Sequence, residues 1–188
     1  WPFTVEEGKA RSIDLVVLVD LSADSSSAGL NLARLAVENA VKTLKTGDRV
    51  AIVTGDLSLR KSRKYIEIGK GDPVRMLESL AMERRGGATD ITELLKETAT
   101  RFSTTEPGRA PVLLYVGNGR PTVGEVSPDA IAKKWFQLPH FIGFRAIATE
   151  DGDGFEVLKR LSGGHDPLLL TTPGVIRQIP EFLNSFRS

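Results

Sequence analysis

The chain has 188 residues, 40% hydrophobic and 26% charged, a length and balance that suit one domain with a full core. Lys and Arg total 25 against 24 Asp and Glu, a formal net charge of +1, which argues against nucleic-acid binding by bulk charge and against an acidic solvating tail. No cysteine and only two histidines exclude a disulfide scaffold, a thiolate zinc site, an iron–sulfur cluster and a thiol nucleophile, and leave few ways to build a histidine site. No apolar run approaches the ~20 residues of a membrane span, so direct membrane insertion is not expected. The first residue is Trp1 rather than Met, and the expectation is a single module, residues 1–188, cut from a larger protein.

Residues 1–12 are polar and mixed and read as a lead-in. Residues 13–19 (IDLVVLV) form a nearly unbroken apolar run that stops at Asp20, as a strand buried on both faces would. Leu30, Ala33, Val37, Ala40, Val41 and Leu44 recur at three- and four-residue steps and predict a helix that ends near Gly47. Residues 49–54 (RVAIVT) predict a second strand, and 65–68 (YIEI) a short edge strand. Pro73 is placed to start a short helix through Met82. Asp90 followed by Glu93 resembles a capping box, with Ile91, Leu94, Leu95 and Phe102 on the apolar face of the helix it opens.

Residues 112–116 (VLLYV) are another buried strand. Ser127-Pro128 is a helix start with Pro at the first helical position. Residues 140–147 predict a strand, 155–161 a helix and 168–170 a short strand. A last helix begins near Val175 and is restarted by Pro180. Strands alternate with helices from end to end. The expected fold is therefore α/β and doubly wound: a mostly parallel six-stranded sheet with one short antiparallel edge strand and helices on both faces. In such sheets, sites form at the carboxyl ends of strands, near the point where strand order reverses.

Three segments meet that rule. Asp20, Ser22 and Asp24 follow the first strand, and extended backbone would put all three on one side. Gly86-Gly87-Ala88-Thr89-Asp90 offers a flexible approach, a hydroxyl and a carboxylate before a helix. The segment from Gly117 to Thr122 ends a strand in a turn that carries the amide oxygen of Asn118. These groups offer only oxygen, which suits Mg²⁺, Mn²⁺ or Ca²⁺ rather than zinc or copper. Each also has a plainer role. Asp20 alone is a turn or cap residue, the serines at 25–27 an N-cap segment, Thr89 and Asp90 helix caps, and Gly117-Asn118-Gly119 a turn. Their joint occurrence at three strand or helix ends is what favours a site.

At these residues the chain resembles a von Willebrand factor A-type domain. That family carries a metal-ion-dependent adhesion site built from D-x-S-x-S after the first strand, a Thr after a Gly-rich loop, and an Asp in a T-D-G turn. Asp20, Ser22, Thr89 and Gly119 fall at matching places and in the same order. The resemblance spans nearly the whole chain, including GDRVAIV at 47–53 and GRPTVG at 119–124, and is greatest to bacterial members and to the inter-alpha-trypsin-inhibitor heavy-chain type. Two positions depart from the pattern: Asp24 stands where the family has its second serine, and Asn118 where it has the third-loop Asp. Asn118 removes a carboxylate, and Asp24 either restores it from another loop or turns away to cap the next helix.

The resemblance implies a Rossmann-like fold and an adhesion-type module that binds a protein ligand through a divalent cation. The ligands would be Asp20, Ser22, Asp24, Thr89 and Asn118. Mg²⁺ is favoured, with Mn²⁺ or Ca²⁺ as alternatives, and an Asp or Glu of the partner would complete the coordination. It also implies an extracytoplasmic host protein, periplasmic, cell-surface or secreted. The alternative is a metal-free interaction scaffold whose site has decayed. Catalysis is not expected. A phosphatase-like use of Asp20, as in haloacid-dehalogenase-like enzymes, would need an acid where Ser22 stands, and neither a P-loop nor a dinucleotide pattern is present.

The remaining motifs read as structural. The basic run Arg60-Lys61-Ser62-Arg63-Lys64 is expected to guard a sheet edge. Asp151-Gly152-Asp153-Gly154 resembles the start of a calcium loop, but Ser162 stands where a bidentate Glu is needed.

Overall fold

The computed structural model describes residues 11–23, 26–61, 64–102, 106–138 and 143–187. Asp24, the serine at 25, part of the basic run and the start of the strand expected at His140 lie outside the described residues. In chain order the elements are β1 (Ser12–Asp20), α1 (Ser27–Thr43), β2 (Arg49–Gly55), β3 (Leu59–Lys61), β4 (Ile66–Glu67), α2 (Val74–Ala81) and α3 (Ile91–Arg101). They continue with β5 (Arg109–Gly117), α4 (Pro128–Phe136), β6 (Gly143–Ala148), α5 (Gly154–Leu161), β7 (Leu168–Leu169) and α6 (Ile179–Asn184). A 3₁₀ turn, Pro173–Gln178, leads into α6.

The strands form one sheet in the order β3-β2-β1-β5-β6-β7, with β4 also paired to β2. All pairings from β2 through β7 are parallel, and β3 and β4 run antiparallel to β2. The doubly wound expectation holds, with seven strands rather than six. The added strand, β3, is three residues long and includes Arg60 and Lys61 of the basic run, so neither its length nor its composition signals a strand.

Alternation along β1 explains both cores. Ile13, Leu15, Val17 and Val19 pack with α1, α2 and α6 on one face. Val16 and Leu18 pack with α3, α4 and α5 on the other. A strand buried on both faces has no polar side to show, which is why its sequence reads as a continuous apolar run. Helices α1, α3 and α4 start where the sequence provides a side-chain acceptor. Ser26 Oγ accepts from Gly29 N at 2.8 Å, Asp90 Oδ1 from Glu93 N at 3.0 Å, and Ser127 Oγ from Ala130 N at 3.4 Å. Such caps contribute about 1 kcal/mol each.

The amino end of the sheet is held by buried charge. Asp14, inside the apolar run, is fully buried and accepts from Arg49 Nε at 2.8 Å and Arg109 Nε at 2.5 Å. Register makes this local: Asp14 lies opposite Arg49 on β2, and Arg109 is two residues before the β5 residue opposite Asp14. Asp48 accepts from Ile13 N at 2.9 Å, Lys45 N at 2.7 Å and Arg187 Nη1 at 3.0 Å, which ties the segment after α6 to the start of β1.

Burial alone would raise the Asp48 pKa. The hydrogen bond from Arg187 and those from the Ile13 and Lys45 amides outweigh it and hold the carboxyl below its ordinary value. A depressed carboxyl pKa contributes stability above the unfolded-state value and loses it as pH falls through the folded one. Arg187→Ala should therefore destabilise by about 3 kcal/mol at pH 7, because it strands a buried carboxylate. The gap from the parent should narrow below about pH 4, as measured by urea unfolding at pH 7 and pH 3.

Candidate functional site

β1 connects onward to β2 on one side and pairs with β5 on the other, so the strand order reverses at β1 and β5. The carboxyl ends of these two strands are the topological switch point, where a doubly wound sheet opens a crevice. Asp20 is the last residue of β1, and Asn118 follows the last residue of β5.

Backbone hydrogen bonds lace the surrounding loops together. Leu21 N donates to Gly55 O at 2.8 Å, Gly86 N to Leu21 O at 3.0 Å, and Ala23 N to Gly87 O at 2.9 Å. Thr122 N and Val123 N both donate to Thr89 O, at 3.0 and 3.2 Å, and Thr89 N donates to Thr122 Oγ1 at 2.7 Å. Arg60 braces the Gly-rich loop from β3, donating to Asp56 Oδ2 at 2.6 Å and to Gly86 O at 2.7 Å. Gly87 has φ +81°, and a Cβ there would lie 2.3 Å from Asp56 Oδ2, so the close approach requires glycine.

Asp20, Ser22, Thr89 and Asn118 are all buried at this end of the sheet, Asp20 at 2% exposure. Asp20 Oδ1 accepts from Ser22 N at 2.9 Å and from the Thr89 hydroxyl at 3.3 Å. Asp20 Oδ2 accepts from the Tyr115 hydroxyl at 2.7 Å. Three of the expected residues, Asp20, Ser22 and Thr89, thus share one hydrogen-bonded cluster. Asn118 stands beside it, but its side-chain oxygen accepts from Arg120 N at 3.0 Å and closes its own turn. That turn is fixed by α5: a Cβ on Gly154 would lie 2.1 Å from Asn118 O. Asp90 caps α3, as its plainer reading expects, while Thr89 turns inward.

Among the described residues, no group of three or more His, Cys, Asp and Glu is placed to hold a metal ion. The described donors are one carboxylate, two hydroxyls and one amide, a hard-oxygen set of low charge. Such a set suits a cation that keeps several waters, as Mg²⁺ does, better than one that demands a full protein cage. No described helix is long and apolar enough to cross a membrane.

Reading the sequence alone misses the parts that Tyr115 and Arg60 play here. Only Tyr115 leaves a signal. It is the one hydroxyl-bearing residue in VLLYV, it lies two positions before Gly117 on the same strand face, and a buried tyrosine hydroxyl needs a partner.

No family model matches the chain. The human inter-alpha-trypsin inhibitor heavy chain H6 is 24% identical over 179 residues, covering 89% of this chain and 13% of that protein. Proximal thread matrix protein 1 from the mussel byssus superimposes with a TM-score of 0.71 at 15% identity, covering 95% of this chain and 48% of the solved one. A further structure of that mussel protein, with zinc in its metal-ion-dependent adhesion site, gives 0.65 at 14% identity over 95% of this chain and 48% of the other. A von Willebrand factor type A protein from Catenulispora acidiphila gives 0.67 at 17% identity, covering 93% and 42%. The chain therefore spans about half the length of these solved proteins and a small part of the human one. Sheet order, helix layers and these superpositions agree that the chain has the von Willebrand factor A-type fold.

Proposed function

We propose that this chain is a non-enzymatic protein-interaction module of the adhesion type, a single unit within a larger extracytoplasmic protein. Its ligand-binding rim would be the three loops at the carboxyl ends of β1 and β5. The observation that carries the reading is the cluster of Asp20, Ser22 and Thr89 at the switch point of the sheet, with the Thr89 hydroxyl 3.3 Å from Asp20 Oδ1. A divalent cation, Mg²⁺ first and Mn²⁺ or Ca²⁺ as alternatives, would be held by Asp20, Ser22 and Thr89, with Asp24 and Asn118 as further oxygen donors. Such a cation would supply a Lewis-acid position for an Asp or Glu carboxylate of a protein partner. The zinc-bearing mussel protein supports the reading, since it has this fold and holds a divalent ion.

The residues of the chain do the positioning. The Ser22 amide orients Asp20 Oδ1, and the Thr89 backbone ties the second loop to the third. The burial of Asp20 keeps its charge out of bulk water, where screening would weaken any attraction to a cation. A metal-free scaffold is the second reading. What favours it is the protein donors already on both Asp20 oxygens and the Asn118 oxygen engaged by Arg120 N.

Titration calorimetry and thermal unfolding with Mg²⁺ and Mn²⁺ separate the two. The cation reading predicts binding heat and, at ten times Kd, about 1.4 kcal/mol of added stability, a Tm rise of about 3–5 °C. No heat and no thermal shift at millimolar metal would establish the scaffold instead. Thr89→Val and Asp20→Asn should each abolish the metal response. Of the two, Thr89→Val is the milder change, removing one hydrogen bond to a charged group for about 1.5–3 kcal/mol of metal-free stability.

A further inference from the structure

Tyr115 lies in the interior of β5, opposite Leu18 of β1. Alternation puts Leu113, Tyr115 and Gly117 on the same sheet face as Val16, Leu18 and Asp20. Asp20 is two residues further along than Leu18, an advance of about 6.6 Å, which a tyrosine side chain leaning along the strand can span. The ring is fully buried and stacks on Phe144 with centroids 6.4 Å apart, and its hydroxyl donates to Asp20 Oδ2 at 2.7 Å. Gly117 keeps that path open. A Cβ there would lie 2.6 Å from Asp20 Cβ and 3.2 Å from the Tyr115 hydroxyl, so any side chain would push the pair apart.

We propose that Tyr115 is an internal competitor for the Asp20 carboxylate and sets the cation affinity of the strand-end site. This rests on the cation reading above. A phenol hydroxyl hydrogen-bonded to a carboxylate oxygen draws electron density from it and occupies one of its lone-pair directions. A cation approaching Oδ2 must displace that donor, or share an oxygen that has become a weaker ligand. Tyr115, Ser22 and Thr89 all donate to the Asp20 carboxylate, and these donors offset part of the cost of burying its charge. The loss of a carboxylate at Asn118 and the hydroxyl of Tyr115 then act in the same direction. Both move the site toward a threshold at which it fills only when the cation is abundant or a partner carboxylate arrives with it.

Tyr115→Phe removes the hydroxyl and leaves the ring in its stack. Titration with Mn²⁺ and Mg²⁺ should show Kd falling about tenfold or more, the scale of a hydrogen bond to a charged group. The metal-free Tm should fall while the metal-induced rise in Tm grows, whereas a purely structural role would lower both states alike. A measurement on the unaltered site guards against a variant that folds poorly. The chain has two tyrosines, so Tyr65→Phe leaves Tyr115 alone to report in the ultraviolet resonance Raman tyrosine doublet. That doublet should shift as Mn²⁺ saturates the site. Equal or weaker affinity in Tyr115→Phe, or a doublet that saturating metal does not move, overturns this proposal and leaves the cation reading intact. Binding by neither protein overturns both.

Discussion

The carboxylate of Asp20, buried at the end of the central strand, is the constraint around which the loops at the carboxyl end of the sheet are arranged. An ionised carboxylate withdrawn from water costs several kcal/mol unless donors replace the water it lost. Here the donors come from the next loop, from the start of α3 and from the interior of β5, through Ser22, Thr89 and Tyr115. Satisfying one side chain therefore draws three separate segments of the chain into register. The backbone bonds from Gly86, Ala23, Thr122 and Val123 then fix the loops around it.

The two ends of the sheet use buried charge differently. At the amino end, Asp14 sits between two guanidinium groups and Asp48 is enclosed by Arg187 and two amides. Those carboxylates have full positive partners, and their role is to lock β1, β2 and β5 and the chain end together. At the carboxyl end, Asp20 accepts from the Ser22 amide and from the Thr89 and Tyr115 hydroxyls, neutral donors from three segments of the chain.

Much of this was legible in the residues. The unbroken run at 13–19 announces a strand covered on both faces, and Ser127-Pro128 announces the start of α4, because burial and capping are local demands. Asp20, Ser22 and Thr89 are candidates from the sequence because they lie at a strand end and after a glycine-rich loop, and the fold brings them into one hydrogen-bonded cluster. Other features depended on pairing between distant segments. β3 exists because β2 offers it an edge, although its own residues are basic and few. Asp14 lies inside an apolar run, and only the strand register sets it beside Arg49. The reach of Tyr115 to Asp20 depends on a two-residue offset between neighbouring strands, which composition and periodicity do not specify. Asn118 lies in the third loop, and its oxygen serves its own turn, which is held by the packing of α5 against that loop.

The most direct test of the account is a crystal structure of this chain grown with Mn²⁺ and read by anomalous scattering. The account predicts a manganese peak within coordination distance of an Asp20 oxygen and of the Ser22 and Thr89 hydroxyls, with the Tyr115 hydroxyl moved off Asp20 Oδ2. A well-ordered site with no anomalous peak and Tyr115 still bonded to Asp20 would contradict it and leave a scaffold that binds its partners without metal.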